Sequence, residues 1–193
     1  MPDPLVLAFD TSAAHCAAAL LSGDRVLASA FEEMPRGQAE RLMPMLAEVM
    51  AKAGCAWRDI DAFGVGVGPG NFTGIRVSVA AARGLALGLG APAIGITTFE
   101  IARASHPGAA TITLGGPRGA IFQQDFDGDR SDGPPRMIEG ETPTQTVDWP
   151  NAAATIARLA MLRLSARDTI DRPAPLYIRP PDAAPAKPVP PVR

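Results

Sequence analysis

The chain has 193 residues, 47% hydrophobic and 20% charged, with 18 basic against 20 acidic side chains. This apolar content with so little net charge excludes a disordered chain. A net charge of −2 excludes nucleic-acid binding by a bulk positive field, and 5% aromatic residues argue against a base-stacking surface. Two cysteines, Cys16 and Cys55, make neither a disulfide framework nor a C-x-x-C pair, which fits a reducing compartment. Met1-Pro2-Asp3-Pro4 has no basic character, and the longest uncharged run, Gly84 to Phe99, is shorter than the roughly 20 residues of a membrane helix. A cytoplasmic protein without a membrane segment is expected.

Leu5-Val6-Leu7-Ala8-Phe9 is a continuous apolar run ending in Asp10-Thr11-Ser12, the pattern of a buried strand emerging into a polar turn. Residues 16–21 and 26–31, joined through Gly23-Asp24, read as a hairpin. Residues 38–53 read as a helix, with Leu42, Met45, Leu46, Val49 and Met50 on one apolar stripe. Pro44 predicts a bend in it, and Gly54 predicts its end. Asp61 to Val67 is a glycine-interrupted strand that leads into Gly68-Pro69-Gly70-Asn71-Phe72-Thr73-Gly74. A second helix, from Ile75 to Leu89, is apolar nearly all round, with Ala80, Gly84 and Gly88 four residues apart. It is expected to be buried and closely approached by another backbone.

Residues 91–96 suggest a further strand, and Thr97-Thr98-Phe99-Glu100 has the spacing of a capping box that opens a short helix. Beyond His106-Pro107-Gly108 come three short strands, over 110–114, 120–126 and 136–139, separated by Gly-rich and Asp-Gly turns. A helix over 151–166 follows. The boundary between two lobes is placed near residue 106. This gives a first lobe over 1–106, a small second lobe over 107–172 and a C-terminal segment over 173–193. Eight of the 20 prolines lie in that last segment, and from Pro180 it is expected to be extended or disordered.

The glycine-rich stretch from Gly64 to Arg76, between a strand and a helix, could point backbone N–H groups at a phosphate. A tight strand-to-helix turn accounts for the same glycines equally well. There is no Gly-Lys-Ser/Thr, so a Walker loop is excluded. Asp10-Thr11-Ser12 at a strand end could present a carboxylate to a metal-bound nucleotide, or simply form a turn that satisfies its own backbone. His15 and His106 have no companion at metal-ligand spacing, so no metal centre is expected. The two apolar helices could be core, or they could form an interface between subunits.

Five blocks lie in register: Leu7 to Ser12, Gln38 to Leu46, Gly68 to Arg76, Gly84 to Gly88, and Pro175 to Pro180. Together they resemble the TsaB (YeaZ) family, densely over 5–100, thinly over 107–170, and again over 175–182. The resemblance implies an α/β, actin-like fold of the sugar kinase/Hsp70 type, with two related lobes and the second shortened. It implies a non-catalytic subunit that activates TsaD in transferring the threonylcarbamoyl group to the adenosine beside the anticodon of tRNA, with TsaE joining the pair. The partner surface it implies comprises Leu42, Met45, Leu46 and Val49 on the first helix. On the second helix it comprises Arg76, Val79, Ala80, Arg83 and Leu87. The same helices would pair with a second copy when TsaD is absent. Asp10, Thr11, Ser12, Gly68, Gly70, Thr73 and Gly74 would then form a vestigial phosphate-binding site. No metal or cofactor is required of this chain, ATP or ADP belongs at most to the complex, and tRNA is met only through it. The His-x-x-x-His metal pair of TsaD has no counterpart here. The competing readings are a small ATPase or phosphotransferase built on Asp10 and the glycine loop, and a peptidase, for which no nucleophile–base pair is visible.

Overall fold

A computed structural model of the chain describes residues 3–116, 119–140, 144–166 and 170–178. The first strand, β1 (Leu5–Asp10), pairs antiparallel with β2 (His15–Ser22), which pairs antiparallel with β3 (Arg25–Glu33). After the helix α1 (Gln38–Ala53) comes β4 (Ala62–Gly66), parallel to β1. The helix α2 (Phe72–Leu89) then crosses to β5 (Ala93–Ile96), parallel to β4. The sheet order is β3-β2-β1-β4-β5, the layout of an actin-like α/β lobe.

Both faces of this sheet are covered, which is why β1 and β2 read as unbroken apolar runs rather than alternating ones. Leu7, Phe9, Cys16, Ala18 and Leu20 face α1 and α2. Val6, Ala8, Ala17, Ala19 and Leu21 face the last helix, α4 (Trp149–Ser165). On that side the packing is small against small. Ala153, Ala157 and Ala160 let α4 lie close to the strands, and a Cβ on Gly64 would come within 2.9 Å of Ile156.

The α1 stripe is the core stripe, and the helix ends at Gly54 in the left-handed conformation, as its sequence predicts. The helix continues through Pro44, which lies on its exposed side. Helix α2 starts three residues before its expected start, because the Asn71 side chain accepts from the Gly74 N–H and caps it. The expectation that α2 is buried all round is not met. Only Gly74, Ile75, Ser78, Val79 and Ala82 are buried, and the opposite side is open.

A capping box at Thr97 and Glu100 opens α3 (Thr98–Ser105). A three-stranded antiparallel sheet follows: β6 (Thr111–Gly115), β7 (Ile121–Asp127) and β8 (Arg130–Ile138). Its apolar side packs on Phe99 and Ala102 of α3 through Ile112, Leu114, Phe122 and Phe126. β8 begins well before its expected start. Asp132-Gly133, read as a turn, lies inside the strand beside a register shift, and Pro134-Pro135 is tolerated because β8 is an edge.

The boundary near residue 106 separates the two sheets, but α4 returns to the large one. The small second lobe is therefore β6–β8 backed by α3, not all of 107–172, because the alanine face of α4 matches the first sheet. Residues 170–178 also return to the large sheet, with the Leu176 N–H donating to Val67 O at 2.8 Å. The Pro/Ala-rich stretch from Pro180 lies outside the described residues.

Candidate functional site

The carboxyl end of β1 carries a fully buried carboxylate, Asp10. Its Oδ2 accepts from the Ser12 N–H at 3.1 Å and from Ser12 Oγ at 2.8 Å, and lies 2.7 Å from His15 Nε2. His15 is itself buried, with its ring 5.5 Å from Phe31 and 4.8 Å from Trp149. Asp10 Oδ1 has no hydrogen-bond partner among the described residues and sits over Gly66, where any Cβ would overlap it. The Ser12 hydroxyl is turned to Asp10 rather than to His15, so the three groups share one carboxylate oxygen and make no activated nucleophile.

His15 opens β2, and its pairing with Asp10 is not among the sequence expectations. The available signal was a carboxylate and an imidazole flanking one short turn between two apolar strands.

The glycine loop closes directly onto this turn. Thr11 Oγ1 donates to Gly74 O at 2.6 Å, and the Asn71 N–H donates to Ser12 O at 2.5 Å. A Cβ on Gly70 would overlap the Ser12 carbonyl, and one on Gly74 would overlap the Thr11 carbonyl. The Thr98 N–H and Oγ1 hold the loop from the other side, through Gly68 O at 2.8 Å and Pro69 O at 2.9 Å. Asp10, Thr11, Ser12, Gly68, Gly70 and Gly74 are thus brought together, with Thr73 exposed on the first turn of α2. The close approach of two backbones explains these glycines without a ligand. Two N–H groups that an anion could use, on Asn71 and Gly74, are already committed.

Beside the loop a cleft of about 810 Å³ opens toward β6 and β7. Ser12, Asn71, Thr98 and Gln145 give it polar groups, and Phe72, Leu114, Phe122 and Trp149 give it apolar walls. No charged side chain is among its described lining residues. Phosphoryl transfer rests on cations placed around the transferred group, and the described lining supplies none.

The two helices present a different surface. Leu42, Met45, Leu46 and Val49 are all within 1% of full burial, and Val79 is 3% exposed. They face the sheet, so they cannot be the exposed docking residues expected of them: an amphipathic stripe marks the side a helix turns inward. Arg76, Ala80, Arg83 and Leu87 are exposed as expected, and Leu87 is 85% exposed. The outward side of α1 adds Met43, at 43%, together with Ala47 and Ala51. Gly84 and Gly88 complete the open side of α2, and a Cβ on either would meet nothing within 4 Å among the described residues.

Arg41 ties β3 to α1 by donating to Glu32 at 2.6 Å and to Glu48 at 2.7 Å. These bonds hold both carboxyls below their usual range and raise the guanidinium further. Burial pushes the Cys16 thiol up to about 11, which leaves it an inert core group. No cluster of three or more His, Cys, Asp or Glu side chains able to hold a metal occurs among the described residues.

The sequence model of the family described as TsaD: tRNA N6-adenosine threonylcarbamoyltransferase matches residues 32–112. The tRNA threonylcarbamoyladenosine biosynthesis protein TsaB of Escherichia coli K12 is 40% identical over 94 residues, covering 49% of this chain and 40% of that protein. The TsaB of Haemophilus influenzae is 38% identical over 100 residues, covering 51% of this chain and 42% of that protein. The chain thus spans about two-fifths of the length of these curated relatives. Among solved structures, YeaZ from Pseudomonas aeruginosa superimposes with a TM-score of 0.73 at 26% identity, covering 90% of this chain and 99% of that one. Over about half of its length by sequence, and over 90% of it by fold, the chain is similar to TsaB (YeaZ) proteins.

Proposed function

We propose that this chain is the non-catalytic partner of a TsaD-type subunit in forming threonylcarbamoyladenosine in tRNA. The observation that carries this reading is the open face of α1 and α2. Met43 and Leu87 stand out of it, and Ala80, Gly84 and Gly88 keep the α2 backbone within reach of a neighbour. Glycine inside a helix costs roughly 0.5–1 kcal/mol relative to alanine. No contact among the described residues explains Gly84 or Gly88, which supports a reason outside the chain.

The chain's own chemistry points the same way. The buried Asp10 is engaged by Ser12 and His15, and the glycine loop is sealed onto the turn beside it. On this reading the phosphate-binding residues are a structural remnant. An adenine nucleotide, TsaE and tRNA belong to the assembled complex, in the cytoplasm where tRNA is modified. Docking on TsaD and pairing with a second copy would use the same face, so the two exclude each other.

The test is to purify the chain with TsaD from the same organism and assay threonylcarbamoyl transfer to tRNA. We expect a stable complex that restores transfer, and no ATP turnover by the chain alone. Absence of a complex, together with ATP hydrolysis that Asp10→Asn abolishes, would overturn the reading and place the function in the cleft.

A further inference from the structure

The open face of α2 carries two arginines, Arg76 and Arg83, and the helix has no acidic residue. Seven positions separate them, so they project from one side about 10 Å apart along the axis. Among the described residues no carboxylate pairs with either. Arg41 on the neighbouring helix is the opposite case, held between two glutamates of its own chain.

Arg76 is also fixed in place. Its Nε donates to Tyr177 Oη at 2.9 Å, and its guanidinium lies 3.7 Å over the Phe72 ring. Tyr177 closes the group, with its ring 5.1 Å from that of Phe72. The two terminal NH2 groups of Arg76 have no partner among the described residues. A guanidinium held by its Nε and its flat face, with the terminal pair free, is prepared for bidentate binding of an oxyanion.

We infer that α2 docks on a protein surface that places one carboxylate on Arg76 and a second, two helical turns away, on Arg83. Apolar side chains of that surface fill the space over Ala80 and Gly84. This rests on the proposed docking and states the chemistry of the partner's side. The exposed Leu87 and Met43 on the same face, with a net charge of −2 for the chain, fit a protein rather than an RNA backbone.

The experiment measures affinity for TsaD of the same organism with Arg76→Glu, Arg83→Glu, Arg83→Lys and Ala80→Trp, at low and at raised salt. Thermal melting of each variant confirms that it is folded. Each reversal is expected to weaken binding by about tenfold or more, less at raised salt, while Arg83→Lys keeps most of the affinity. If both reversals bind as the unmodified chain does and Ala80→Trp does not bind, the charge pairing is wrong and the docking face stands. If Ala80→Trp also binds normally, the docking face itself is wrong. If the reversals spare TsaD binding but weaken binding of bare tRNA, the arginines are an RNA contact and the inference is overturned.

Discussion

The glycines at 70 and 74 and those at 84 and 88 lie within twenty residues of each other and are there for opposite reasons. Gly70 and Gly74 are glycine because the carbonyls of Ser12 and Thr11 occupy the space of a side chain. Gly84 and Gly88 face open space, in the middle and last turn of a helix where glycine is unfavourable. The first pair is explained by the fold of this chain. No contact among the described residues explains the second pair. Glycine-rich segments therefore divide by what a Cβ would meet, and here the division separates a structural turn from the face proposed for docking.

Substitution can break that contrast directly. Gly74→Ala should have the largest effect, destabilising the chain by about 3 kcal/mol or more, because its Cβ has no room beside Thr11. Urea unfolding would show this as a lower midpoint, and an unchanged midpoint would mean the loop is not packed as described. Asp10→Ala comes next, at about 1–3 kcal/mol, since it leaves His15 and Ser12 without their shared acceptor. Gly84→Ala and Gly88→Ala should go the other way, each raising the stability of the isolated chain by about 0.5–1 kcal/mol. A loss of stability at either position would reveal an internal role for those glycines.

The smallest effect concerns the Arg41 network. The folded state holds the Glu32 and Glu48 carboxyls below their ordinary range, so their contribution is present at neutral pH. It is lost as the pH falls through the lowered values, and salt weakens it because the groups are exposed. Unfolding midpoints followed from neutral to about pH 3 should fall less steeply in Arg41→Ala than in the unmodified chain. Equal slopes would show that the network adds nothing.

Much of the large sheet is legible in the sequence, because its strands are continuous apolar runs and its turns carry Gly-Asp or Asp-Thr-Ser signals. The stripe on α1 is legible too. What the stripe cannot say is which side meets a partner, and reading Leu42 to Val49 as exposed inverted the helix. The outward side, Met43, Ala47 and Ala51, has too weak an apolar signal to stand out by itself. The extent of β8 escapes because a bulge lets Asp132-Gly133 run through a strand. The return of α4 to the first sheet escapes because its alanines fit a close helix–sheet approach that no local pattern specifies. The Asp10–His15 pairing depends on how a short turn folds back, which five residues of spacing do not state.

The face proposed to meet TsaD is the open side of α1 and α2. The most direct measurement is the affinity of Ala80→Trp for that subunit, since Ala80 is exposed and the change leaves the core alone. Docking on this face predicts an unchanged melting temperature and loss of the complex. A tryptophan variant that binds TsaD with the affinity of the unmodified chain would contradict it.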